Sequence, residues 1–221
     1  MNLIKFSKVM QRKIMKDDTT PGISAIIDEK LHPTFICYRA KSSFMPVNIK
    51  TVFNQSSIDD NTLITFYKKY LDTKNDTWDD IAIKLAKAVN KRLTYKNDDV
   101  NWGQVEYWAS PIEIHNKKQD DCDGYAVLTV YLWGLFGIPA YRRFVRAGNV
   151  VGGGHATALY LSLATNEIYP LEGSYYASES WKNFNKIPFH VNQKYTNTWW
   201  ITNENKSYSG SWFLKFIKGM R

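Results

Sequence analysis

Residues 120–142 read DDCDGYAVLTVYLWGLFGIPAYR, and the fold is read outward from them. Aspartates supply a helix-start signal, the apolar residues that follow run almost all the way round a helical wheel, and Gly137 and Pro139 stop the run. The pattern predicts a buried helix over about 122–136 with Cys122 at its first turn. Unpaired N–H groups at a helix start favour a thiolate, whereas Asp120, Asp121 and Asp123 beside the sulfur oppose it. Asp121 and Asp123 are expected to cap this helix or to hold a cation.

Upstream, SIDDNTLITFYKKYLD (57–72) and DTWDDIAIKLAKAVNKRLTY (76–95) carry capping residues followed by an apolar face at helical spacing. Downstream, AYRRFVRA (140–147), HATALYL (155–161) and EIYPLE (167–172) are short, rich in β-formers and parted by glycine or polar turns. Helices first and antiparallel strands afterwards make an α+β fold. Residues 1–57 are expected to form an N-terminal extension, an amphipathic helix near 2–16 followed by an irregular segment, and 58–221 the catalytic domain.

A chain of 221 residues with 44% hydrophobic content builds one core. Its two cysteines, Cys37 and Cys122, read as free thiols, Cys37 as a structural one. The formal charge of +8 is spread along the chain, with local groups at Lys5 to Lys16, at Arg142, Arg143 and Arg146, and at Lys215 to Arg221. No nucleic-acid motif accompanies them, so no specific nucleic-acid partner is expected. The N-terminus lacks the apolar run of an export signal and no run is long enough to span a membrane, which leaves a cytoplasmic or particle-borne protein as the expectation.

A reactive cysteine needs a base, and the base an orienting group. Of four histidines, His155 opens a strand directly after the glycine run 152–154, where backbone or substrate can come close. Pairing HATALYL with EIYPLE across the loop 161–166 sets His155 opposite Glu172 and Tyr160 opposite Glu167. Glu172 is then the orienting acid. The backbone N–H of Cys122 is one oxyanion donor, and Trp102, Gln104 and Trp108 are side-chain candidates for a second donor or for substrate contact. Cys122, His155 and His115 lack the paired spacing of a zinc site.

The blocks YWASPIE (107–113), DDCDGYAVLTVYLWGLFGIPAYR (120–142), GGGHATALYL (152–161) and IYPLEGSYY (168–176) together resemble the bacterial transglutaminase-like cysteine peptidases, over about residues 75–176. The resemblance implies a papain-like fold, with the nucleophile helix packed on an antiparallel sheet, and it implies Cys122 as nucleophile, His155 as base and Glu172 as orienting acid. It implies hydrolysis of a peptide or other amide bond in a polypeptide-like substrate, with transfer to an amine as a variant of the same chemistry. Two departures stand out: Glu172 occupies a place usually held by Asp, and Gly124 a place often held by an acid. No cofactor is required and no metal is expected, with calcium at Asp121 and Asp123 as the alternative. A binding or structural module, such as a phage particle component docking a protein partner through its basic termini, is the competing reading.

Overall fold

A computed structural model describes residues 37–38, 46–47, 49–54, 60–205 and 207–209. The expected amphipathic helix near 2–16, His32, the side chain of Cys37 and the basic C-terminal segment lie outside them.

The helical half is built by local signals. Strands β1 (Cys37–Tyr38) and β2 (Pro46–Val47) form a small antiparallel pair. The sequence reads 23–58 as irregular, but Ile49–Asn54 forms α1, whose Ile49, Val52 and Phe53 join the main core. Helix α2 (Asp60–Tyr67) continues as a 3-10 turn to Tyr70. Helix α3 (Trp78–Arg92) starts with a reciprocal capping box between Thr77 and Asp80, which satisfies two of its orphan N–H groups. Helix α4 (Asp98–Asn101) is a single turn between β3 (Thr94–Tyr95) and α5 (Pro111–Lys117), which carries its own Ser110–Glu113 capping box. Strand β4 (Gln119–Asp120) pairs in parallel with β3 and delivers the chain into α6 (Cys122–Leu135).

Helix α6 is buried along almost its whole length, as its apolar circumference requires. Asp121 caps it by accepting the N–H of Asp123 at 3.1 Å. Its far end closes on Gly137, at φ +91°, where the Ile138 N–H returns to the Trp133 carbonyl at 2.9 Å. Trp133 Nε1 donates to the Ala82 carbonyl at 3.0 Å, tying α6 to α3 inside the core.

The other half is a five-stranded antiparallel sheet in the order β7-β6-β5-β8-β9. Its members are β5 (Arg143–Val150), β6 (Gly153–Leu161), β7 (Ile168–Pro170), β8 (Asn197–Thr202) and β9 (Ser207–Ser209), with the short helix α7 (Ala177–Lys182) between β7 and β8. The fold is α+β, with α6 packed on the sheet.

One expectation about the sheet is corrected. Tyr160 faces Tyr169, not Glu167, and Leu161 faces Ile168, so the β6–β7 register is slipped by two residues. The turn sets this register. The Ser162 N–H closes on the Glu167 carbonyl at 2.9 Å, Asn166 takes a left-handed φ of 57°, and Asp79 on α3 holds Ser162, Leu163 and Ala164. A slip of two preserves which face each side chain takes, so Glu172 stays on the face of His155.

One of the local basic groups, Arg142, Arg143 and Arg146, is interior. Arg142, Arg143 and Arg146 are 3%, 7% and 0% exposed. Arg143 is ion-paired with Glu204 and donates to the carbonyls of Ile138 and Val130. Their charge therefore contributes little to any polyanion-binding surface.

Candidate active site

Three elements bring Cys122, His155 and Glu172 together: the start of α6, the cleft edge of β6, and the chain just past β7. The Cys122 Sγ accepts the N–H of Ala156, next to His155, at 3.3 Å. His155 Nε2 lies 2.9 Å from Glu172 Oε2. The second carboxylate oxygen of Glu172 accepts Thr157 Oγ1 at 2.8 Å and the Tyr195 hydroxyl at 2.7 Å. Glu172 is 1% exposed. Burial pushes its carboxyl up, but the His155 charge and the hydrogen bonds from His155, Tyr195 and Thr157 win and hold it below the usual carboxylate range. An ionised Glu172 only accepts hydrogen bonds, so Nε2 of His155 is the donor, and in the neutral form of the ring the lone pair lies on Nδ1. Nδ1 makes no hydrogen bond among the described residues.

The electrostatics of the thiol differ from the expectation of a helix-start thiolate. Burial pushes the Cys122 thiol well above its ordinary value, Asp121 and Asp123 push the same way, and the Ala156 N–H only partly offsets them. One helix terminus carries about half a unit charge, less than two adjacent carboxylates. Burial and the two carboxylates therefore favour the neutral thiol.

The three side-chain donor candidates separate. Trp102 Nε1 is committed to Asp120 Oδ1 at 3.0 Å and Trp108 Nε1 to Glu106 Oε1 at 3.0 Å. Gln104 is exposed, in the segment between them. At the start of α6 the Asp123 N–H is taken by Asp121, and the Cys122 N–H is one of the donors a helix start presents. His115 stands apart from the site. It lies in α5 against Phe66 and Tyr67, and burial together with Arg92 and Lys118 lowers it to about 4. His190 sits 3.6 Å from Glu167.

Acids gather at the start of α6 beyond the two singled out from sequence. Asp98, Asp120 and Asp121 each offer an oxygen within 4.8 Å of the others, and Asp98, Glu106 and Asp123 do likewise. Asp120 is fully buried. Its Oδ1 accepts from Trp102, Asn101 and the Asp121 N–H, while Oδ2 has no partner among the described residues. Burial pushes Asp120 up to about 7, opposed by the Trp102 hydrogen bond and reinforced by Asp98 and Asp121. A buried, orphaned carboxylate oxygen beside two more carboxylates fits a hard cation. Gly124 is part of this arrangement: a Cβ there would fall 2.2 Å from Asp120 Oδ2. The carboxylate of Asp120 fills the space that the missing side chain of Gly124 leaves. The signal for it was the run of two aspartates before the cysteine.

Helix and sheet, with Cys122, His155 and Glu172 in this order, fit a transglutaminase-like fold. No family model and no curated protein matches the chain. Among solved structures it is similar to LapG of Legionella pneumophila in an EGTA-treated form, at 16% identity and a TM-score of 0.51, covering 73% of this chain and 83% of that one. It is also similar to calcium-bound LapG of the same organism, at 14% identity and a TM-score of 0.46 over 69% and 88% of the two chains. A TGase is similar at 12% identity and a TM-score of 0.40, over 70% of this chain and 47% of that one. At these identities the likeness is one of fold. Among the described residues no helix is long and apolar enough to cross a membrane.

Proposed function

We propose that this protein is a thiol hydrolase that cleaves an amide bond in an extended polypeptide through an acyl-enzyme on Cys122. The observation that carries the reading is the His155–Glu172 pair at 2.9 Å on the strand whose next N–H touches the Cys122 sulfur. In this reading His155 Nδ1 takes the thiol proton as Sγ attacks the carbonyl carbon. The oxygen that becomes negative is met by the Cys122 N–H at the start of α6. The imidazolium then gives its proton to the departing amine, and water, deprotonated by the same ring, releases the acid and the thiol.

A polypeptide substrate is supported by the β6 edge beside Gly154, where no strand other than β5 pairs among the described residues. The Ala156 N–H and the Ala158 carbonyl turn away from β5, toward Cys122 and Leu171 respectively, and the strand's alternation turns the N–H and C=O of Gly154 the same way. β7 pairs only with Leu159 to Leu161, so Gly154 offers its backbone groups beside the nucleophile to an extended chain. Incubation with a denatured polypeptide and a labelled primary amine tests the reading. New amino termini are expected, with Cys122→Ala lowering their release by about a thousandfold or more. Amine incorporation without cleavage would make the protein a cross-linker. An equally active Cys122→Ala variant, or neither product, would overturn the reading.

Calcium belongs to the same proposal. Asp98, Asp120 and Asp121, with Glu106 and Asp123 beside them, would hold it, and its charge would neutralise the carboxylates around the nucleophile. Adding calcium to the metal-free protein is expected to raise its Tm by about 5 to 10 °C at a hundredfold excess over Kd. Asp120→Asn should remove most of that rise. An unchanged Tm with calcium, or the same rise in Asp120→Asn, would count against the site.

A further inference from the structure

Glu172 has three rotatable side-chain bonds, and a carboxylate that orients a histidine must be held in one of their many arrangements. We propose that Tyr195 and Thr157 are positioning residues for the site, which together pin Oε1 of Glu172 so that Oε2 meets His155 Nε2. The proposal rests on the thiol-hydrolase reading above and assigns to both residues a role that neither composition nor motif indicates.

The geometry carries it. Thr157 follows His155 by two positions on β6 and therefore shares its face, and its hydroxyl reaches Oε1 at 2.8 Å. The Tyr195 hydroxyl approaches the same oxygen at 2.7 Å from the segment between β7 and β8. Two donors on one oxygen leave the other to His155, so the carboxylate cannot rotate without breaking a buried hydrogen bond. Tyr195 is itself held from behind. Its ring packs on Phe189 with centroids 5.2 Å apart, and the Arg146 guanidinium lies 5.0 Å from its centroid. Arg146 is fully buried, and the acceptors it meets are neutral: Thr198 Oγ1 at 3.1 Å, the Asn149 carbonyl at 2.8 Å, the Asn197 carbonyl, and the His155 carbonyl at 3.5 Å. A cation behind the phenol favours its donating to the carboxylate.

The backbone around Tyr195 does not depend on its hydroxyl. The Val151 N–H donates to the Lys194 carbonyl at 3.0 Å and the Thr196 N–H to the Asn149 carbonyl at 3.1 Å, so the tip of the β5–β6 hairpin fixes the segment. Tyr195→Phe keeps the ring, its packing and these bonds, and removes one hydrogen bond.

The test uses the whole protein and two readouts. The first is the rate at which iodoacetamide modifies Cys122 at neutral pH, followed by peptide mass and compared with His155→Ala to isolate the part that depends on the base. The second is the downfield NMR resonance of the His155 ring N–H proton, which reports the bond to Glu172 with no reference to the thiol. Combining Tyr195→Phe with Thr157→Val is expected to lower the base-dependent rate about tenfold, the low end of what outer partners of a functional histidine contribute, and to move the proton upfield or broaden it away. Each single change should do so in part, and Thr157→Ser, which keeps the hydroxyl, should restore both. A double variant with the wild-type proton and rate, altered only in Tm, would overturn the proposal. If wild type and His155→Ala react identically, the thiol-hydrolase reading fails instead, and the ring proton still decides the positioning.

Discussion

Glu172→Gln is expected to leave the protein folded and to lower turnover of any amide substrate by about 10⁴-fold, the effect of forcing a catalytic histidine into the wrong tautomer. The surroundings dictate the outcome. Thr157 and Tyr195 both donate to one oxygen of the side chain, so a glutamine must keep its carbonyl there and turn its amide NH₂ toward His155. Nε2 then has to accept, which places the ring proton on Nδ1. A protonated Nδ1 cannot take the proton of the Cys122 thiol, which burial and two aspartates hold in its neutral form. Steady-state kinetics beside a thermal melt separates this from unfolding. A variant that keeps more than about a tenth of the activity would show that Glu172 does not set the tautomer.

Asp79→Ala is expected to be the most damaging single change outside the site. Asp79 sits in the first turn of α3 and accepts four hydrogen bonds: from the Tyr160 hydroxyl and the Leu163 N–H at Oδ1, 2.7 Å each, and from Ser162 Oγ at 2.7 Å and the Ala164 N–H at 3.2 Å at Oδ2. Alanine strands four donors, at about 1–3 kcal/mol for each that stays buried and unsatisfied. Even with partial relaxation the loss approaches the whole stability of an ordinary domain, about 5–15 kcal/mol. The same contacts close the turn that sets the β6–β7 register, so Glu172 should lose its place along with the fold. Asp79→Asn keeps one carbonyl acceptor and should be milder. Urea unfolding of both variants checks the order, and an Asp79→Ala protein within about 1 kcal/mol of wild type would refute it.

Much of the helical half was legible because its signals are local. The capping residues ahead of α2 and α3, the apolar circumference of α6 and its glycine stop each lie within a few residues of what they determine. The strands were legible as β5, β6 and β7, but β8, β9 and α7 were not, because the chain from Gly173 onward mixes aromatic and polar residues without a clear period. The register was misread by two residues because the turn is set by Asp79, a side chain far upstream. The error was harmless to the site since an even slip keeps His155, Thr157 and Glu172 on one face. Trp102 and Trp108 looked like free donors, but their N–H groups serve Asp120 and Glu106. The burial of Arg142, Arg143 and Arg146 was not legible because sequence shows a charge and not the carbonyls that surround it.

The order of cysteine, histidine and acid, and the elements that present them, were determined by the sequence alone, since each depends on caps, alternation and apolar periodicity within short windows. Tertiary structure alone decided how those groups are tuned. Asp98, in α4, and Glu106, in the segment after it, reach the start of α6 only when that part of the chain folds across it, Asp120 occupies the room left by Gly124, and Tyr195 reaches Glu172 from a distant segment. Burial, charge proximity and hydrogen bonding depend on distance in space, and a linear sequence carries that distance only after the chain has closed on itself.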